Sequence, residues 1–486
     1  MGLLLLFNGG FMVISAIVSF VTNDGAGLAI SSAGGITLFA GMLLMFVTRD
    51  HKKEIKKREG YIVVTFGWLF MSLSGMLPYL ASGAIPNVTN AFFETISGYT
   101  TTGATILSDI ESLPKGILFW RSMTHWIGGM GIIVLAIAIL PLLGIGGMQL
   151  FAAEAPGPSA DKLHPRITDT AKRLWLIYFG FTAAETIALN LAGMSFFDAV
   201  NHAMSTLSTG GFSTKNASVA YWNDTPIIQY IIIFFMMLAG MNFVLSYFAF
   251  KGQVQKIIKD EEFRLYMIFI IGFSCISAIV IYFKADISAS TIAHPMVWGA
   301  GESAFRHGLF QVLAVITTTG FVTADFTMWS PLLTVLFFGL MFLGGSAGST
   351  SGGIKVVRHI LTIKNAFMEF KRTLHPNAII PVRYNTRSVD RNIIYNILAF
   401  FILYMLSWIA GASVLAALGL DFITALGGAA SALGNVGPAF GDLSPVDSYG
   451  GLPAAAKWWC GFLMLIGRLE LFTVLILLTP FFWRNR

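Results

Sequence analysis

Four short segments of this chain share one pattern, and they limit what it can fold into more than any other feature. They read SGYTTTGAT (Ser97–Thr105), STLSTGGFS (Ser205–Ser213), AVITTTGFV (Ala314–Val322) and SALGNVGPA (Ser431–Ala439). Aligned without gaps, each opens on a small residue and has a bulky apolar residue two positions on. Each then places Thr or Asn two residues before a glycine: Gly103, Gly211, Gly320 and Gly437. Those glycines are 108, 109 and 117 residues apart. Self-similarity at near-equal spacing is the mark of a repeat architecture, so the chain reads as four units of similar build.

The segments between the glycines say where these units sit. Gly2–Val21, Leu28–Val47, Tyr61–Leu80, Ile117–Leu143, Ile227–Phe250, Leu265–Phe283 and Ile393–Ala416 are each about long enough to cross a ~30 Å hydrocarbon layer as helices. With 55% hydrophobic and 12% charged residues, the chain lacks the charge that a soluble surface of this size needs. The fold class is therefore all-α integral membrane. The first apolar run has no basic leading region and no clean small-residue cleavage site, so it reads as a retained helix rather than a signal peptide.

Charge predicts the topology. Of 31 Lys and Arg, 24 fall in Arg49–Arg58, Lys162–Arg173, Lys251–Arg264, Lys355–Arg391 and Arg484–Arg486. The alternate stretches hold only six: Lys115, Arg121, Lys215, Lys284, Arg306 and Lys457. Basic loops stay on the cytoplasmic side. Both termini are then cytoplasmic, and the formal net charge of +6 needs no nucleic-acid partner.

Around each glycine, a full span leads to a stretch such as Thr89–Tyr99 or Phe196–Leu207, too short to cross. The glycine and another apolar segment follow. The short stretches read as half-helices that enter from outside and turn back. Two leading helices (1–50) and four helix–pore loop–helix units (51–150, 151–260, 261–385 and 386–486) give ten crossings with four re-entrant loops. This is a fourfold pseudo-symmetric, potassium-channel-like plan.

Non-helical backbone at membrane depth survives only where it is buried in protein or lines water, so the four loops are expected to converge on one axis. Glycine allows the angles that turn successive carbonyls toward a common centre, and rings of carbonyl oxygens replace the water shell of a potassium ion. The candidate ion-binding residues are Thr101, Thr102, Gly103, Thr209, Gly210, Gly211, Thr318, Thr319, Gly320, Asn435, Val436 and Gly437. K+ is the expected transported ion, with no cofactor held by the chain. The fourth set departs from the others, with Asn435 for Thr, then Val436, and Pro438 after the glycine. Fewer equivalent ligands predict weaker discrimination against sodium than in a symmetric tetramer, with passage of rubidium and caesium.

A further break follows Pro331–Leu343, in GGSAGSTSGG (Gly344–Gly353), with five glycines and four hydroxyl residues. Each glycine costs a helix about 1 kcal/mol relative to alanine. The stretch begins too soon after Pro331 for a span to be complete, which favours a loop across the pore over a flexible cytoplasmic one. Gly344, Gly345, Ser346, Ala347 and Gly348 are the central gate candidates. Arg468 lies mid-way in Trp458–Leu478, where a charge without water or a partner is costly. Glu470, two residues on, points elsewhere on a helix and reads as a packing partner for another unit.

The four loop segments, with TLSTGGFST (Thr206–Thr214), SAGSTSGGIKVVR (Ser346–Arg358) and GRLELFTVL (Gly467–Leu475), resemble the superfamily of TrkH, TrkG and KtrB potassium transporters over essentially the whole chain. Length and the two extra leading helices are most similar to the TrkH branch. The resemblance implies potassium uptake across a bacterial inner membrane by a homodimer with one pore per subunit. It also implies a gating loop at Gly344–Gly353, with Arg468 just below the filter opposing cation passage when closed. A cytoplasmic TrkA-like ring that binds nucleotides is the implied controller.

Other residues carry less. Glu94, Asp109, Glu111, Asp198, Asp325 and Asp442 near the outer mouth can concentrate cations, but read mostly as solvated loop residues or caps, Asp198 at the start of a half-helix. His125 beside Trp126 reads as packing, and Cys275 and Cys460 as inert core residues of apolar spans. Lys355–Arg391, with HPNAIIPVR (His375–Arg383), suits anionic membrane lipids or docking of the ring. AEAPGPSADKLHPR (Ala153–Arg166) is a second docking candidate. A K+/Na+ or K+/H+ symporter on the same scaffold is the alternative, although carriers are usually built on paired inverted repeats and these four run parallel. An enzyme is not expected, with no GxxxxGK[ST], HExxH or paired intramembrane carboxylates in the sequence.

Overall fold

Among the described residues, six helices are long and apolar enough to cross a membrane: Gly2–Thr22, Gly27–Thr48, Arg58–Ser82, Lys172–Leu191, Glu261–Lys284 and Arg391–Ala417. They belong to a computed structural model that describes residues 1–49, 57–134, 167–284, 292 and 294–484. The first two are the leading pair, and the other four are the outer helices of the four units. Large apolar side chains such as Phe39, Phe46, Phe283 and Ile402 stand exposed on them, as lipid-facing surfaces require.

The leading pair packs antiparallel through glycines. A Cβ on Gly2 would fall closer than 3.0 Å to the Gly41 carbonyl oxygen, and one on Gly41 equally close to that of Gly2. Small residues let membrane helices approach this closely. Within the units, the half-helices are Val88–Tyr99, Phe196–Leu207, Ala300–Ile316 and Phe422–Gly434. Three start on side-chain caps: Asn87, Ser195 and Asp421 accept from the amides of Asn90, Asp198 and Ile423. The third, at 17 residues, is longer than the others.

The inner helices depart from expectation. Continuous spans are predicted over Ile227–Phe250 and Trp458–Leu478, but Pro226–Ala239 meets Phe243–Phe250 at 105° and Ala454–Arg468 meets Phe472–Leu478 at 112°. In the second unit, a Cβ on Gly240 would overlap Tyr266 and Thr317, and Asn242 restarts the helix by accepting from Val244 N at 2.8 Å. In the fourth, Glu470 and Leu471 take φ of 58° and 37°, which no α-helix sustains. The third inner helix stops at Leu340, short of the predicted Leu343. The first is described over Lys115–Val134, so the rest of its predicted span lies outside the described residues, as does Ala153–Arg166. Of the ten predicted crossings, six thus stand by length among the described residues, or eight if each bent pair is one span.

Two smaller corrections follow. Cys460 is buried but Cys275 is exposed, so only one of the pair is a core residue. Within the basic segment after the third inner helix, Arg383–Tyr384 pairs antiparallel with Arg387–Ser388, the only strands among the described residues.

Candidate functional site

The half-helices end on the four repeated loops, and the loops share one backbone. Thr101, Thr209, Thr318 and Asn435 take φ of 52°, 54°, 56° and 56°. Two residues later Gly103, Gly211, Gly320 and Gly437 take 78°, 81°, 72° and 99°. Left-handed φ is an outlier for a β-branched residue, costing about 1–3 kcal/mol, and three threonines bear it here. Asparagine adopts it more readily, so the fourth loop departs in residue type while keeping the backbone.

The glycines also settle how the loops meet. A Cβ on Gly103 would fall closer than 3.0 Å to the carbonyl oxygen of Gly210, one on Gly211 to that of Thr319, one on Gly320 to that of Val436 and one on Gly437 to that of Thr102. Each loop therefore abuts the next in chain order, and the fourth returns to the first. The loops close a ring. Each half-helix brings its C-terminal end, the negative end of its dipole, to that ring, which favours a cation. Hydroxyls are less evenly placed. Thr100 and Thr102 bond at 2.8 Å and Thr317 and Thr319 at 2.7 Å, whereas Gly210 and Val436 occupy the place of Thr102 and Thr319 in loops two and four.

One side of the ring opens to a vestibule of about 350 Å³ lined by all four glycines. Its wall is fastened by buried charge. Glu94, fully buried, accepts from Thr105 Oγ1 (2.9 Å), Ile106 N (3.0 Å) and Arg121 Nε (2.6 Å). Arg121 donates through Nη1 to Ser213 O at 2.8 Å and lies 3.5 Å above the Phe212 ring. One ion pair thus ties loop one to loop two. Loop three hangs from a relay in which Arg306 pairs with Glu302 (2.7 Å) and donates to Gln229, which donates to Asn223, whose Nδ2 donates to Thr323 O at 3.0 Å. Tyr449 joins loops four and one, donating through N to Thr105 O and through Oη to Gly437 O, both at 2.8 Å. Near the rim, Lys215 pairs with Glu111 at 3.4 Å, and bonds from the Asn216 and Ser112 side chains hold the Asp109 carboxyl below the usual carboxylate range.

The other side is covered by the glycine-rich loop. Gly352 N donates to Thr318 Oγ1 at 2.6 Å, and Thr350 Oγ1 donates to Leu207 O at 2.9 Å. Arg468, buried at the end of its helix, donates through Nη1 to Thr350 O (2.8 Å) and through Nη2 to Gly128 O (3.2 Å). Those oxygens belong to the third and first units, which face each other across the ring. A single guanidinium therefore links the covering loop of the third unit to the inner helix of the first. The rest of the loop rests on the second unit's break, with Ser346 N on Gly240 O at 2.8 Å and Phe243 N on Gly348 O at 3.2 Å. The buried Glu262 carboxylate accepts from Ala347 N (2.7 Å) and Val357 N (3.2 Å).

All twelve predicted ion-binding residues lie in the ring loops, and Arg468 lies beneath them. Of the gate candidates Gly344–Gly348, all in the covering loop, Gly345, Ser346 and Gly348 meet the second unit's break, Ala347 meets Glu262 and Gly344 packs within the loop; Thr350 and Gly352, inside the same predicted stretch, bond to the repeated segments. Glu470 pairs with Arg358 at 3.1 Å, as a partner in another unit. Asp198 sits in the first turn of its half-helix, and His125 stacks on Phe212 at 3.9 Å. Glu94 corrects the solvated reading of the outer acids, because Arg121 lets its carboxylate be buried. Glu262 goes unnoticed in the sequence because it stands in a basic stretch, with only a neighbouring apolar helix to hint at burial.

A family model described as TrkH, cation transport protein, matches residues 26–484. Over 488 residues the chain is 41% identical to the Trk system potassium uptake protein TrkH of Escherichia coli (strain K12), covering 100% of this chain and 98% of that one. It is 35% identical over 449 residues to the Trk system potassium uptake protein TrkG of the same strain, covering 90% and 88%. The crystal structure of the potassium transporter TrkH from Vibrio parahaemolyticus matches with a TM-score of 0.88 at 38% identity, covering 99% of this chain and 98% of that chain.

Proposed function

The chain belongs to the TrkH family of cation transport proteins, and from that premise we propose that it takes up potassium through the ring of four loops, with the glycine-rich loop and Arg468 as its gate. It is a multi-pass membrane protein. One observation carries the reading: each loop glycine leaves room for only a carbonyl oxygen of the next loop, around a closed circuit of four.

In this reading Thr101–Gly103, Thr209–Gly211, Thr318–Gly320 and Asn435–Gly437 supply carbonyl and hydroxyl oxygens to a K+ that has shed its water. The helix dipoles aimed at the ring favour the ion's charge. Two hydroxyl pairs on opposite loops, rather than four, support graded selectivity in which rubidium and caesium pass. Beneath the ring, the Arg468 guanidinium holds Thr350 and Gly128 together and repels a departing cation. Opening withdraws Thr350–Gly352 from Leu207 and Thr318. Relatives named as members of a Trk system support control by a nucleotide-binding TrkA-like ring. We place this chain in a homodimer in the bacterial inner membrane, with both termini cytoplasmic.

Rubidium flux into proteoliposomes tests the reading. Potassium and rubidium should compete strongly, caesium less and sodium weakly. Equal competition by sodium would sink the filter assignment. Unitary currents in planar bilayers mark a channel-like route, whereas saturating flux locked to sodium or protons would favour the symporter.

A further inference from the structure

The two leading helices stand outside the repeat, yet one residue of the first reaches the ring's support. Asn8, buried in Gly2–Thr22, accepts through Oδ1 from the Tyr99 hydroxyl and donates through Nδ2 to Ser74 Oγ at 2.7 Å. Tyr99 is the last residue of the first half-helix, four positions before Gly103. Its ring occupies space that Gly75 leaves open: a Cβ there would fall closer than 3.0 Å to Tyr99 Cε2 and Oη. Its backbone carbonyl presses on the first inner helix at Gly128, where a Cβ would again come closer than 3.0 Å. Gly128 is the residue whose own carbonyl receives Arg468.

The other units lack this hydroxyl. At the position of Tyr99 they carry Leu207, Ile316 and Leu433, each fully buried and without a polar side-chain atom. The leading pair packs against elements of the first unit. The single tyrosine in the set thus lies where a helix outside the repeat can receive it. A buried hydroxyl deprived of its partner costs more than the bond itself contributes, so this ring stays on Asn8.

We propose that Asn8 and Tyr99 form a positioning pair through which the leading helix sets the first loop and thereby the potassium-over-sodium preference of the ring. The inference rests on the filter reading above. The bond fixes the last turn of the half-helix and hence Thr101–Gly103. Loop one passes a shift to its neighbours through the Gly103–Gly210 and Gly437–Thr102 contacts and through the bond from Asn435 Nδ2 to Thr102 Oγ1 at 3.0 Å.

The test uses the full chain in proteoliposomes, with rubidium flux competed by potassium and by sodium. Tyr99→Phe, Asn8→Leu and the double variant are compared with Gly103→Ser. Each single change should lower the potassium-to-sodium preference by about two- to tenfold, the span of one buried hydrogen bond. The double should be no worse than the worse single, since both remove one shared bond. A lowered melting temperature in detergent with an unchanged preference would mean a merely structural bond and overturn the inference. If Gly103→Ser shifts the preference while both singles leave it alone, the inference falls and the filter reading stands. If Gly103→Ser also leaves it alone, both fall. Should Asn8→Leu not fold, Tyr99→Phe, which loses one oxygen, decides alone.

Discussion

On the vestibule side the loops hang from buried charge, with Glu94 and Arg121 at 2.6 Å and Glu302 and Arg306 at 2.7 Å. On the opposite side the glycine-rich loop meets the ring through single hydrogen bonds between neutral groups, Gly352 N to Thr318 Oγ1 and Thr350 Oγ1 to Leu207 O, with one charged donor, Arg468, on Thr350 O. Separating one partner of a buried ion pair costs about 3–5 kcal/mol, because the other charge stays behind. A single hydrogen bond contributes about 1 kcal/mol net. The contacts at the ring are therefore costlier to break on the vestibule side than on the loop side. In the proposed reading, the ring's firmness and the loop's release would come from the kind of partner each side offers.

Four substitutions would break or sharpen that contrast. Arg121→Ala strands the Glu94 carboxylate and should destabilise the protein by about 3–5 kcal/mol, measured as the melting temperature in detergent; near-native melting would mean the vestibule side is not held by charge. Gly211→Ala sets a methyl against Thr319 O at a left-handed φ. The ~1–3 kcal/mol of strain should leave folded protein with potassium-over-sodium preference down about tenfold in competed flux. Arg468→Ala frees Thr350 and Gly128, and with bonds to a charged donor contributing about 1.5–3 kcal/mol, partner-free rubidium flux should rise about tenfold. Thr318→Val removes only the acceptor for Gly352 N, so the same assay should show a rise of about fivefold, the equivalent of ~1 kcal/mol. If the last two leave basal flux unchanged, the loop side is not the releasable one.

Much of the ring was legible because it is written locally. The glycine, the Thr or Asn two before it and the short apolar stretch ahead of them lie within one segment, and backbone angles depend mainly on such neighbours. The third inner helix was legible for the same reason, its break being spelled in five glycines of one stretch. The breaks at Gly240 and Arg468 were not, because apolar composition runs through both. They arise where Gly240 meets Tyr266 and Thr317 and where Glu470 turns to reach Arg358, partners far away in sequence. Glu94 was misread for the same reason, since Arg121 is 27 residues on. Thr350 and Gly352 stood inside the predicted stretch, but nothing in GGSAGSTSGG says which end faces the loops.

The return of the fourth loop to the first within one polypeptide has a genetic consequence. A codon change at any of these positions alters one quadrant and leaves three intact, whereas in a ring of four identical copies the same change would strike every quadrant at once. Asn435, Val436 and Pro438 stand in one quadrant alone in this way. In the proposed filter, ion preference can thus be altered one quadrant at a time.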